Sequence, residues 1–223
     1  PGVTAGGVEG DQLLFWDGGK LREVGLQSGE QLEERKTPQD LVRLQIAAGD
    51  VIVTGYLHGK VAVGDSAGNQ TWASSGLDEA AEDIAFRPGE PRLYGVTLDG
   101  TFLEWDGTTG RLSREVETAI PQVRTFAFLS DGSRLVHGTE DGLAVRESES
   151  LELLGRLRGH QATVREVEVS VDGRWAVSAS DDGTVGVWDL QSEKLVRLLQ
   201  GHQDAVVEVA VTPEADRIVS VSE

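Results

Sequence analysis

The ends of alternating apolar strands, each preceded by a tight turn, recur along this chain with a nearly constant step. They fall at Trp16, Gly64, Trp105, Glu147 and Trp188, so that every step after a longer first one is roughly 41 residues. A step that steady means repeats, each a supersecondary unit that cannot bury its own faces and stacks on its neighbours.

The best-preserved copy runs from Gly159 to Leu190. Its alternating runs, Val164 to Val169 and Trp175 to Val177, flank the turn signal Asp172-Gly173, and Asp181-Asp182-Gly183 leads into a third run, Thr184 to Trp188. It opens on Gly159-His160 and closes on Trp188-Asp189. In those two dipeptides and their spacing the stretch resembles the WD40 repeat family, a degenerate, bacterial-type member.

The other copies keep the spacing and lose parts of the signature. Gln12 to Asp17 supplies a third strand and Trp16-Asp17, Lys20 to Leu26 an outer strand, and the polar Gln27 to Gln39 a loop that accounts for the long first step. The second copy places Leu41, Leu44 and Ile46 on a first strand, then Val51 to Thr54, a turn at Leu57-His58-Gly59, and Lys60 to Asp65. A third closes on Trp105-Asp106. In the fourth, Val123, Phe126 and Phe128 lie on the first strand and Glu147-Ser148 stands at the Trp-Asp place. A sixth opens at Gly201-His202 and runs through Val206, Val209, Val211 and Arg217 to Val221. Further outer strands are expected at Gln70 to Trp72, Arg111 to Val116, Leu151 to Leu157 and Lys194 to Leu199.

The resemblance implies an all-β fold, a β-propeller of four-stranded antiparallel blades. Residues 1–223 are expected to form a single propeller domain: a partial repeat over 1–26, repeats over about 40–75, 81–117, 121–157 and 160–199, and a partial repeat over 202–223. The family usually builds about seven blades, so these five repeats and a fraction are expected to be part of a larger propeller. Pro1 in place of an initiator Met fits an excised piece. The alternative is a closed five-bladed ring in which Gln12 to Leu26 completes the blade begun by Asp204 to Ser222.

Composition narrows the function. Thirty-eight acidic against 20 basic residues give a formal net charge of -18, which repels phosphate backbones and anionic membrane surfaces. Nucleic acid and membrane are therefore not expected as partners. The absence of cysteine removes thiolate metal sites and thiol nucleophiles. His58, His137, His160 and His202 are tied to repeat positions, so no metal site is expected. Ser180-Asp181-Asp182-Gly183 lacks the alternating ligands of a calcium loop and reads as a hairpin turn. No phosphate-cradling loop appears, and no cofactor is expected.

By resemblance, His160, Ser178, Asp182 and Trp188 form the family's structural tetrad, a hydrogen-bonded latch in which every buried polar group finds a partner. A hydrolase triad is not the reading of these residues. The chain has no G-x-S-x-G elbow, and the family buries the set. The second, third and fourth copies lack the full tetrad and are expected to rest on their apolar strands alone.

The resemblance further implies a non-enzymatic interaction scaffold or sensor module of a larger multidomain regulatory protein, cytoplasmic, with no catalytic residues. It would bind a protein partner, or another domain of its own polypeptide, through top-face loops. Arg165, Asp181, Glu140, Arg124 and Leu98 are the candidate contact residues. The alternative is a propeller enzyme, or a binder of sugars or small ligands, that uses the central channel.

Overall fold

The computed structural model describes strand backbone over 5–9, 12–16, 20–25, 31–36, 41–47 and 51–56, and then residues 60–65, 70–74, 80–212 and 215–223. Among these residues the secondary structure is all β. The first sheet is β1 (Ala5–Glu9), β2 (Gln12–Trp16), β3 (Lys20–Gly25) and β4 (Gln31–Lys36). The second is β5 (Leu41–Ala47), β6 (Val51–Tyr56), β7 (Val61–Asp65) and β8 (Gln70–Ser74). The third is β9 (Ala81–Phe86), β10 (Arg92–Thr97), β11 (Thr101–Asp106) and β12 (Leu112–Glu117). The fourth is β13 (Phe126–Phe128), β14 (Arg134–Gly138), β15 (Gly142–Glu147) and β16 (Leu153–Arg158). The fifth is β17 (Val164–Val169), β18 (Trp175–Ser180), β19 (Val185–Asp189) and β20 (Lys194–Leu199). β21 (Val206–Val211) and β22 (Ile218–Ser222) pair by themselves. In every sheet the strands lie in chain order, the arrangement of consecutive hairpins, and the fold class is that of the β-propeller.

The chain divides into two compact units. The first comprises Pro1–Phe86, Pro91–Gly95 and Leu103–Arg114, with a core of Val53, Val61, Val63, Trp72, Ile84, Leu93, Leu103 and Trp105. The second comprises Arg87–Glu90, Val96–Phe102 and Glu115–Glu223. One of its cores lies between the fourth and fifth sheets: Val136, Leu143, Val145 and Leu157 meet Val164, Val167, Ala176 and Trp188. A second joins the fifth sheet to the strands that follow, with Val177, Ala179 and Val185 against Val206 and Val209. The fifth sheet thus buries both faces, which is why its central strands read as apolar on both sides.

Two expectations change in the first sheet. Gln31–Lys36 is a strand, although QLEERK reads as loop, and Lys20–Gly25 is the third strand rather than the outer one. An outermost strand pairs along one edge only and tolerates charge on its exposed sides, so its sequence carries little apolar signal. The sheet is therefore complete without help from outside. Gln12–Trp16 pairs with β1 and β3, and does not complete the strand pair β21–β22. Trp16 accordingly lies on the second strand of its sheet, whereas Trp105 and Trp188 lie on the third. It is not their counterpart, and the long first step arises from comparing unlike strands. The turn at Leu57-His58-Gly59 lies outside the described residues.

Pairing register supplies a better ruler than the Trp-Asp signature. Between the third and fourth strands the register slips by one position at Glu23/Val24, Val63/Gly64, Val145/Arg146 and Val187/Trp188. Each slip is a β-bulge that bends the outer strand. The counterpart of Trp188 in the fourth sheet is therefore Arg146, not Glu147. Leu135 pairs with Arg146 as Ala176 pairs with Trp188. From Val24 through Gly64, Trp105 and Arg146 to Trp188 every step is roughly 41 residues, the first now included.

Candidate functional site

The fifth sheet holds the latch. Trp175↔Asp189 pairing aligns β18 and β19 so that Ser178 faces Gly186 and lies on the same side as Trp188. Trp188 Nε1 donates to Ser178 Oγ at 2.8 Å, and the Ser178 hydroxyl lies 2.7 Å from His160 Nε2. His160 Nδ1 lies 3.0 Å from Asp182 Oδ2. The network assigns the proton to Nδ1, so that each group donates once along the line from Trp188 to Asp182. Burial pushes the His160 pKa below its ordinary value, with Asp182 opposing, so the ring is neutral as this assignment requires. At Asp182 burial works against the charge. The Thr184 hydroxyl, the Gln161 amide and His160 outweigh it and bring the carboxyl pKa below its usual range.

Gly186 makes the latch possible. A Cβ there would lie 2.6 Å from both Ser178 Oγ and Trp188 Nε1 and 2.8 Å from His160 Nε2. Ser178, His160 and Trp188 are all buried, Ser178 and Trp188 completely. A nucleophilic role would need an exposed hydroxyl and an oxyanion hole. The geometry is that of a strand-to-strand tie.

The third and fourth sheets do not rest on apolar packing alone. In the fourth, His137 holds the Ser178 position and Arg146 the Trp188 position, and Arg146 Nε donates to His137 Nε2 at 3.0 Å. Arg146 also donates to the carbonyls of Leu151 at 2.7 Å and Thr118 at 3.4 Å. Burial brings His137 down to about 4, with Arg146 adding to the effect against the Gly138 carbonyl. In the third, Gly95 stands at the Ser178 position and its missing side chain is replaced by the Trp105 ring, 2.9 Å from where a Cβ would lie. Trp105 Nε1 donates instead to Ser74 Oγ at 3.2 Å. In the last strand pair His202 Nε2 lies 2.8 Å from Ser220 Oγ, repeating His160–Ser178. Arg146 and Ser74 escaped the sequence reading because neither belongs to the signature and both depend on register.

The candidate contact residues lie along one edge of the second unit. Val164↔Ser180 pairing puts the start of β17 beside the turn that leaves β18. Arg165 Nε reaches Asp181 Oδ1 at 2.5 Å, and its Nη1 is 3.6 Å from Glu223 Oε1. The Asp181 amide donates to the Thr163 carbonyl at 3.0 Å, Thr163 Oγ1 to Gln122 Oε1 at 3.2 Å, and the Gln122 amide to the Leu98 carbonyl at 2.7 Å. Leu98, Gln122, Thr163, Asp181, Arg165 and Glu223 thus form one connected line. Leu98 is 38% exposed and Gln122 holds a φ of 62°. Glu140 is exposed at the turn between β14 and β15, and Arg124 is half-buried just before Thr125. The structure brings Arg165 and Asp181 into contact and ties Leu98 to them. Glu140 makes none of the bonds of that line. Gln122, Thr163 and Glu223 belong to it, and a strand-centred reading of the sequence does not single out loop residues like these.

Among the described residues no three His, Asp or Glu side chains gather in a way that could hold a metal ion. No helix among them is long and apolar enough to cross a membrane.

Sheets of four strands in chain order, repeated at roughly 41 residues, with a Trp–Ser–His–Asp latch in the fifth, are the pattern of WD40 repeats. Residues 151–189 match the family described as "WD domain, G-beta repeat". It is 27% identical over 105 residues to "Target of rapamycin complex subunit LST8" of Saccharomyces cerevisiae, covering 46% of this chain and 35% of that protein. It is 38% identical over 122 residues to "WD repeat-containing protein SL1-17" of Schistosoma mansoni, covering 49% of this chain and 40% of that protein. With "Apoptotic protease-activating factor 1" of Rattus norvegicus it shares 32% over 108 residues, 48% of this chain and 9% of that protein. The matches thus span less than half of those relatives' lengths. Among solved structures the computationally designed Ika8 protein superposes with a TM-score of 0.73 at 24% identity, covering 99% of this chain and 68% of that one.

Proposed function

We propose that this chain is a non-enzymatic protein-interaction scaffold or sensor module within a larger cytoplasmic regulatory protein. It engages a protein partner, or another domain of its own polypeptide, through the edge that carries Leu98, Asp181 and Arg165. The observation that carries the reading is the connected line from Leu98 to Glu223. It fixes backbone and charged side chains from successive repeats in one partly exposed row, a preorganised surface that costs little ordering on binding. The repeat relatives support it, one of them named as the subunit of a complex. The charge of -18 favours a partner whose contacting surface is basic or mixed.

A channel-lining ligand site would need polar groups on the first strands aimed at a ligand. Glu168 on β17 instead accepts the Val211 amide at 3.0 Å, and Glu166 lies 3.5 Å from Thr125 Oγ1. Glu168 thus serves the neighbouring strand β21, and Glu166 the residue just before β13. The test is the exchange Arg165→Glu with Asp181→Arg, which keeps an ion pair in place and inverts its direction. Partners recovered from the source cells should be lost with the exchange and kept with Arg174→Glu on the opposite edge, the circular dichroism being unchanged. Recovery unaffected by the exchange would overturn this choice of edge.

A further inference from the structure

The outermost strands of the fourth and fifth sheets have a composition unlike the rest of the chain. β16 reads LLGRLR and β20 reads KLVRLL, with no carboxylate in either, in a protein whose acids outnumber its bases by 18. The outermost strands of the first and third sheets, QLEERK and LSREVE, carry acids. Arg156, Lys194 and Arg197 are exposed, and among the described residues none of the three has an ion-pair partner, whereas Arg158 pairs with Asp141 at 3.3 Å.

The bulges add an apolar component. Val145 pairs with Gly155 and Arg146 with Leu153, which leaves Leu154 as the extra residue. Val187 pairs with Arg197 and Trp188 with Leu195, which leaves Val196. These two homologous residues, one repeat apart, are 49% and 55% exposed, and Leu153 beside the first is 39% exposed. The two strands are neighbours. A Cβ on Gly155 would lie 3.5 Å from Glu193 Oε2 at the head of β20, and one on Gly159 only 2.4 Å from Leu195 Cδ2. A bulge and a lysine also blunt a sheet edge against strand addition, so the surface is suited to side-chain contact rather than to a paired strand.

We propose that this rim, Leu154 and Val196 with Arg156, Lys194 and Arg197, is a second docking surface, and that its occupant is an acidic segment with interspersed apolar side chains. Charge complementarity selects that occupant. Three cations without ion-pair partners in an acidic protein attract carboxylates, and the exposed Leu and Val supply the contact that excludes water around them. An anionic membrane is disfavoured because the remainder of the molecule repels it. The surface differs from the edge in the proposed function in position and in the sign of its partner, so either can fail alone.

The probe is a short fluorescein-labelled peptide alternating Glu with Leu, titrated against the purified chain and followed by anisotropy. Saturable binding is expected, weaker by about tenfold or more for Arg156→Glu with Arg197→Glu and for Leu154→Ser with Val196→Ser. Peptides with Lys for Glu, or Ser for Leu, should not bind, and Arg174→Glu should bind as the unaltered chain does. Absence of saturable binding would overturn the proposal, as would binding unchanged in both rim variants or equal binding of the Lys peptide. Self-association in sedimentation that disappears in Leu154→Ser with Val196→Ser would assign the rim to a second copy and overturn it. Binding to phosphatidylserine vesicles without binding to the peptide would overturn it in favour of a lipid surface.

Discussion

Arg146 Nε donates to His137 Nε2 at 3.0 Å, in the two strand positions where Trp188 and Ser178 meet in the next sheet. The same place in the repeat is thus closed by two unrelated pairs. Both put a planar N–H donor on the third strand and an acceptor on the second. What differs is the residue opposite the acceptor. Gly186 leaves room for the indole, whereas Ala144 faces His137.

That difference predicts the outcome of moving one latch into the other sheet. Arg146→Trp alone should be severely destabilising, because the Ala144 methyl stands where Gly186 leaves space, and overpacking costs about 1–3 kcal/mol. Adding His137→Ser and Ala144→Gly should recover much of the loss, a coupling of about 1–3 kcal/mol readable in urea unfolding. In the fifth sheet Gly186→Ala should cost about as much as Ser178→Ala, about 2–4 kcal/mol, the first through overlap and the second by orphaning the Trp188 and His160 nitrogens. If the triple substitution is no more stable than Arg146→Trp alone, the two positions are not equivalent.

Strand pattern, period and the fifth-repeat latch were legible because each is written locally: alternation, Asp-Gly turns and the Gly-His and Trp-Asp pairs. What was not legible depends on pairing between strands. Trp16 looked like Trp188, yet it lies one strand earlier in its sheet, and nothing in the flanking sequence says so. Arg146 was passed over for Glu147 because a turn one position shorter shifts the match, a shift visible only in the register. Gln31–Lys36 was read as loop because an outer strand has little to bury. On the candidate edge the sequence singled out Arg165 and Asp181, while Gln122 and Thr163, which tie them to Leu98, are loop residues without a pattern.

Acid should weaken the fold through its buried histidines. His137 is lowered to about 4 from 6.5 by burial, and His160 is lowered for the same first reason. Below 6.5 the unfolded chain takes up protons at both sites that the folded chain refuses. Their contribution is therefore full above pH 6.5 and is lost as pH falls below it, for His137 down to about 4, with a slope of up to about 1.4 kcal/mol per unit for each group. Urea midpoints measured across that window should fall steeply, and His137→Gln should flatten the curve. An unchanged slope would mean that His137 reaches water in the folded state.

Glu168 should behave in the opposite sense. Burial raises its pKa and Glu208 adds to this, against the Val211 amide that it accepts. A carboxyl held above its unfolded value of 4.5 contributes fully below that pH and loses its contribution as pH rises through the folded value. Glu168→Gln keeps an oxygen for the Val211 amide and removes the charge. The variant should unfold at higher urea than the unaltered chain at pH 7 and show no such gain at pH 4. A loss of stability at pH 7 would show that the charge itself holds β21 in place.

One loop position repeats with an unfavourable backbone. Gly110, Leu151 and Glu193 stand one repeat apart, follow the third strands of their sheets, and have φ of 71°, 61° and 56°. The shape is imposed by the turn, in which the amides of Gly110 and Leu151 donate back to the carbonyls of Asp106 and Glu147 at 2.8 and 2.9 Å. Glycine adopts it freely, and a side chain there costs about 1 kcal/mol. Glu193 is exposed and loses little packing on truncation, so Glu193→Gly should stabilise by about 0.5–1 kcal/mol and raise the thermal midpoint by about 2–4 °C. Leu151 has the same backbone but is only 4% exposed, and Leu151→Gly should destabilise by about 2 kcal/mol or more, because the lost burial exceeds the relief. Opposite signs for the two substitutions in calorimetry are the expected result. Equal signs would mean that the turn, not the side chain, sets the energy at this position.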